Sequence, residues 1–172
     1  MSIRIEKLSE RHAQSLFKFE CDNRRFFETM VPGRGDDYYI YSHFLNNLES
    51  LLLEQENGLS IFHLIFVGHH AIAGRINLAD IAMESTGRKA DLGYRVGRNH
   101  LQKGIAATAL KYILALSADE YEINKILAKT TNKNIASQKV LEKNGFELDS
   151  IDNEAITLNG EKLSFYNYSW AG

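Results

Sequence analysis

Three consecutive apolar segments of this chain follow period two, and helix, strand and helix then intervene before period two returns. Leu59 to Val67 and Ala71 to Ala82 are rich in apolar and β-branched residues, and Gly68-His69-His70 between them suits a tight hairpin turn. Ala90 to Val96 is a third strand, with Leu92, Tyr94 and Val96 on one face and Asp91, Gly93 and Arg95 on the other. A helix begins near Gly104, where Ile105, Ala109, Tyr112, Ile113 and Leu116 predict its buried stripe. Lys125 to Thr131 reads as a strand, and Asn134 to Asn144 as a helix with Asn134 as N-cap and Gly145 as its stop. Two last strands, Phe146 to Leu158 and Lys162 to Trp170, are joined by the turn Asn159-Gly160. Strand runs broken by crossover helices require a mixed sheet flanked by helices, an α/β architecture.

The N-terminal part completes this order. Ile3 and Ile5 alternate with polar neighbours as a short strand, and Ser9 is placed to cap a helix from Glu10 to about Glu20, with Ala13, Leu16 and Phe17 on one face. Cys21 to Asp37, holding Phe26, Phe27, Pro32, Gly33 and Gly35, reads as an irregular loop. Ile40, Phe44, Leu45, Leu48, Leu51 and Leu52 then form the stripe of a helix from about Asp37 to Glu56, stopped by Asn57-Gly58.

No repeat, low-complexity tract or linker divides the chain, so residues 1–172 are expected to form a single domain. With 44% hydrophobic and 24% charged residues it has the composition of a chain that folds by itself. Lys and Arg number 20 against 22 Asp and Glu, and a net charge of −2 argues against coating nucleic acid or an anionic membrane. The longest apolar stretch, around Leu59 to Val67, is interrupted by His63 and falls short of the ~18 residues that a membrane span needs. The lone Cys21 cannot form an intramolecular disulfide, and the first residues lack the apolar core of a secretory signal, so a reducing, cytoplasmic location is expected.

Two strand-to-helix junctions carry the chemistry. In Asp91 to Leu110 a strand ends, a polar loop with Lys103 and Gly104 follows, and a helix starts at once with Ala106, Ala107 and Ala109. First-turn N–H groups lack internal partners and the helix dipole adds positive potential, so such a junction can hold a phosphate, and Gly104 lets a ligand approach. An ordinary loop glycine before an alanine-rich helix is the competing explanation. Neither G-x-x-x-x-G-K-[ST] nor G-x-G-x-x-G occurs, which excludes a nucleoside-triphosphatase loop and a dinucleotide fingerprint. At the second junction, Thr130 to Phe146, Asn134 and Ser137 stand at a helix start, where capping alone would account for them.

Together the junctions resemble a known family. Leu92-Gly93-Tyr94-Arg95, then Lys103-Gly104-Ile105-Ala106, then Asn134, Ser137, Val140, Leu141, Glu142, Lys143, Gly145 and Phe146 are similar to the motifs of the GNAT acetyltransferases, above all the RimJ/RimL-type branch. The resemblance implies a mostly antiparallel sheet of six or seven strands with two central splayed parallel strands, flanked by about four helices. It implies an acetyl-coenzyme A site between those strands: Tyr94, Arg95 and Val96 pairing with the pantetheine arm, Leu101, Gln102, Lys103, Gly104, Ile105 and Ala106 wrapping the pyrophosphate, Asn134 bonding the pantetheine and Ser137 near the sulfur. One departure stands out: the family usually has Gln or Arg three residues before the loop glycine, and here Leu101 occupies that place with Gln102 one step late.

Acetyl transfer to an amine needs a neutral amine, an oriented thioester and a proton for the leaving thiolate, without a covalent enzyme intermediate. Cys21 is thus not required. Ser137 is the candidate donor to the thiolate. For the base the order is Asp91, then Glu28, with Glu84 and Glu154 as competitors, and a solvated surface charge is the alternative for each. The segment from Cys21 to Asp37 is the expected wall of the acceptor site, and Tyr166, Tyr168 and Trp170 are either the other wall or core. Acidic surroundings would suit a peptide N-terminus, a polyamine or an aminoglycoside. The six histidines lack metal-ligand spacing and are expected at the surface or in loops, so no metal is anticipated. The expected protein is a monomer or homodimer that binds no nucleic acid or membrane. A non-catalytic acyl-coenzyme A sensing domain and a structural oligomerising module are the competing classes.

Overall fold

In a computed structural model that describes residues 2–69 and 71–172, two parallel strands lie side by side near the middle of a seven-stranded sheet. They are β4 (Gly87–Val96) and β5 (Lys125–Thr131), joined by helix α4 (Ile105–Asp119). Every other neighbour pair is antiparallel: β1 (Ile3–Lys7), β2 (Ile61–Val67) and β3 (Ala71–Glu84) lead up to β4, whereas β7 (Glu161–Ala171) and the edge strand β6 (Glu147–Leu158) follow β5. A parallel neighbour needs a crossover, and α4 supplies it. Helix α5 (Ile135–Lys143) leads from β5 to β6.

The sheet separates two cores. On one face Ile105, Ala109, Leu110, Ile113 and Leu114 of α4 and Leu141 of α5 pack against Ile65, Ile76, Leu78, Ala90 and Ile126. The other face carries α1 (Ala13–Asp22), α2 (Arg24–Glu28) and α3 (Tyr41–Glu56), whose Leu16, Phe19, Phe27, Phe44 and Leu48 meet Phe62, Leu64 and Phe66.

Four expectations change. The segment Cys21 to Asp37 is not wholly irregular: its residues 24–28 form α2, because Phe27 has a pocket beside Phe19 to fill. The stripe of α4 is rotated, with Leu110 and Leu114 inside and Tyr112 exposed. Tyr168 is buried, and Tyr166 and Trp170 pack partly buried against the same core, so of their two readings these aromatics take the core. His12 and His63 are buried because each has polar partners: His12 bonds Glu6 at 3.0 Å, and His63 lies between the Ile76 carbonyl at 3.2 Å and the Tyr121 hydroxyl at 2.9 Å. In the expected hairpin turn, Gly68 is left-handed, while His70 lies outside the described residues.

His63 yields a prediction about acid stability. Burial holds its pKa down to about 4, with the Ile76 carbonyl opposing and Lys7 adding to the shift. The unfolded chain takes up this proton below about 6.5 and the folded chain only below about 4, so stability is lost as pH falls between them. Urea titrations at pH 7 and pH 4.5 should show that this site costs about 2–3 kcal/mol of stability, and that His63→Gln removes that part of the loss. An identical pH dependence in the variant would contradict the assignment.

Candidate functional site

The ladder between β4 and β5 ends at Leu92–Ala128, yet β4 continues to Val96 and β5 to Thr131. Each keeps its outer partner along this stretch, β4 on β3 and β5 on β7, so the strands part without fraying. Main-chain groups of residues 93–96 that would have faced β5 are thereby freed for a ligand. A cavity of about 290 Å³ opens at the divergence. It passes from the α4–α5 face, where Tyr94, Ser137 and Val140 line it, to the α2 face, where Phe26, Phe27, Met30 and Val31 do.

Local sequence explains the walls. Gln102 and Gly104 are both left-handed, which coils the loop tightly ahead of α4, and a Cβ at Gly104 would meet nothing. Thr108 N–H donates to the Gly104 carbonyl at 3.0 Å as the first bond of the helix, leaving the N–H groups of Ile105, Ala106 and Ala107 at the open end. Asn134 caps α5, its Oδ1 accepting the Ser137 N–H at 3.1 Å. Gln138 ties that helix to the end of β5 by donating to the carbonyls of Thr131 at 3.1 Å and Asn132 at 3.2 Å.

The structure brings most of the anticipated residues to this one cavity: Tyr94, Arg95, Val96, Leu101, Gln102, Gly104, Ile105, Ala106, Asn134 and Ser137 all line it. Lys103 does not, because its Nζ donates to the Asn99 carbonyl at 3.1 Å. The candidate bases also stand outside the lining. Asp91 sits in the closed part of the β4–β5 ladder, two residues before the divergence, and burial pushes its carboxyl up, helped by Asp80 and opposed by Lys89. Glu28 is held by Arg24 at 3.1 Å, Glu84 is an exposed strand end near Lys89, and Glu154 is an exposed residue near Lys162. Cys21 is exposed, and its thiol is pushed up by burial and by the neighbouring Asp22 and Glu20, which leaves little nucleophilic thiolate.

Residues 2–147 match the family described as Acetyltransferase (GNAT) domain. The chain belongs to the GNAT acetyltransferases. Among the relatives of this GNAT chain, the probable N-acetyltransferase YjcK of Bacillus subtilis (strain 168) is 26% identical over 163 residues, covering 92% of this chain and 88% of that one. The ribosomal-protein-S5-alanine acetyltransferase of Vibrio fischeri has the same fold, with a TM-score of 0.91 at 17% identity over 99% of this chain and 93% of that one. RimL, a ribosomal L7/L12 alpha-N-protein acetyltransferase solved with coenzyme A, superposes with a TM-score of 0.88 at 20% identity, covering 99% and 94%.

Two features of this GNAT site go beyond its motifs. The Tyr94 hydroxyl lies 2.8 Å from Ser137 Oγ, bridging β4 to α5 across the cavity. Burial pushes the Tyr94 phenol up, opposed by the bond to Ser137, so it keeps its proton at neutral pH. The family motif implies a role only for the main chain of Tyr94, and its place on the same strand face as Leu92 and Val96 is the sequence signal for its side chain. The second feature is Met30 and Val31, exposed apolar residues just after α2 that extend the Phe26–Phe27 wall. Among the described residues no group of three or more His, Cys, Asp or Glu side chains is placed to hold a metal ion, and no helix is long and apolar enough to cross a membrane.

Proposed function

We propose that this chain acts as one catalytic domain that moves the acetyl group of acetyl-coenzyme A to a primary amine, a protein N-terminus or a small amine, by direct attack in a ternary complex. The observation that carries the reading is the cavity at the β4–β5 divergence, lined both by Tyr94, Ser137 and Val140 and by Phe26, Phe27, Met30 and Val31. The residues present fit the co-substrate. Open N–H groups at the start of α4 suit a pyrophosphate, and the freed main chain of residues 93–96 suits the amide groups of a pantetheine arm. Acetyl-coenzyme A supplies an activated thioester; this chain supplies position and protons. Ser137, with Tyr94 bonded behind it, donates toward the departing sulfur. Asp91 takes the amine proton through water: it shares a strand face with Arg95, and its raised pKa brings it nearer to neutrality than an ordinary carboxylate. The ribosomal-protein acetyltransferases among its structural neighbours favour a peptide N-terminus as acceptor.

The test is release of free thiol from acetyl-coenzyme A with a panel of peptide and small amines, read beside the melting temperature. Acetyl-coenzyme A at about 100 times its Kd should stabilise the protein by about 2.7 kcal/mol, and at least one amine should be acetylated. Tight binding with no turnover on any amine would overturn the enzymatic reading, and a melting temperature indifferent to the compound would overturn the site.

A further inference from the structure

Four charged residues that are far apart in the sequence meet on the α1–α3 face, beside the wall of the cavity. Glu20 of α1 is fully buried. Arg75 Nη1 donates to its Oε1 at 2.6 Å, Arg34 Nη1 lies 3.8 Å from the same oxygen, and Arg95 Nη1 lies 3.6 Å from Oε2. Arg75 and Arg95 are cross-strand partners on β3 and β4, so the register itself places two guanidinium groups together. Arg75, with 5% of its side chain exposed, is sufficient to neutralise Glu20. Arg95 and Arg34, 24% and 31% exposed, are then in excess, and neither has another carboxylate partner among the described residues. Both are held against rings, Arg95 at 4.6 Å from the centre of Phe27 and Arg34 at 4.5 Å from that of Tyr38. Arg95 also lines the cavity, on the side of Phe26 and Phe27.

Gathering like charges in a half-buried place is unfavourable unless something negative joins them. Two fixed guanidinium forks also match a carboxylate in shape, and they repel an acceptor carrying a second positive charge. We propose that the acceptor carries a carboxylate close to its amine, received by Arg95 and Arg34. This inference rests on the acetyl-transfer reading and narrows it: polyamines and aminoglycosides, which the sequence had left open, are disfavoured.

The experiment compares kcat/KM for Ser-Asp-Ala-Ala amide, its Asn and Lys counterparts at the second position, and free serine against serine amide. A carboxylate held by paired guanidinium groups should favour the acidic acceptor over its neutral counterpart by about tenfold or more. Preference in the peptide series identifies a peptide acceptor, and preference for serine over serine amide identifies a free amino acid; either supports the inference. Arg34→Gln, at a partly exposed position, should bring the Asp-to-Asn ratio towards one, and Arg34→Glu should turn preference towards the Lys peptide. Turnover without preference in either series overturns this inference and leaves acetyl transfer standing. If no acceptor is acetylated by protein that melts higher with acetyl-coenzyme A, the transfer reading falls and takes this inference with it.

Discussion

Ser137→Ala is expected to lower kcat by about tenfold to a hundredfold while leaving the affinity for acetyl-coenzyme A within about a factor of two. The two hydroxyls of Tyr94 and Ser137 stand 2.8 Å apart, and only one of them can donate to the other. With the Tyr94 proton directed at Ser137 Oγ, the serine proton is free to point into the cavity at a leaving thiolate. Tyr94→Phe removes the group that sets this direction, so its rate should fall by a similar factor. Because the two act as one unit, the double variant should be little slower than the slower single variant. Single-turnover thiol release measures all three. Wild-type rates in both single variants would remove the pair from the mechanism, and fully additive losses would show that the hydroxyls act separately.

What the sequence made legible follows from the distance over which each signal acts. The strand-to-helix junctions are local: a glycine with positive φ before α4 and an asparagine cap before α5 stand within a few residues of the groups that they orient. Their assignment to one site is what the resemblance to the GNAT motifs implies, and the β4–β5 divergence brings them together. Helix α2 was hidden because five residues, Arg24 to Glu28, are too few for a 3.6-residue period to register, and proline and glycines follow closely. Burial of His12 and His63 was not legible, since a histidine goes inside only when partners from other elements satisfy its ring; Tyr121 and Ile76 do so for His63. The arginine cluster is the extreme case. Residues 20, 34, 75 and 95 lie on a helix, a loop and two strands, and only the register that sets Arg75 opposite Arg95 reveals them as one group. Reading carboxylates one at a time suggested an acidic acceptor site, whereas the assembled face beside Phe27 is basic.

Gly74→Ala should be the most damaging small substitution near the site. Gly74 pairs with Val96 at the end of β4, and it follows a bulge in which Ala73 is the extra residue between the Ile65–Gly74 and Phe66–Ile72 pairs. The bulge turns the Ala73 carbonyl to accept the Gly97 N–H at 2.8 Å, anchoring the chain just where β4 leaves the sheet. A Cβ on Gly74 would come within 2.5 Å of the Arg95 carbonyl oxygen and 3.3 Å of the Val96 Cα, main-chain atoms that cannot rotate away. The strands must separate to admit it, at a cost of about 2–3 kcal/mol. The displaced segment is the one whose free edge lines the cavity, so affinity for acetyl-coenzyme A should fall together with stability. Gly93→Ala provides the contrast, because Gly93 is also in β4 but has nothing within 4 Å of an added Cβ and no positive φ. Its stability should stay within about 0.5 kcal/mol of the wild type. Urea midpoints for the two variants decide the matter: equal losses would mean that strand glycines in general, and not the close approach of β3 to β4, set the cost.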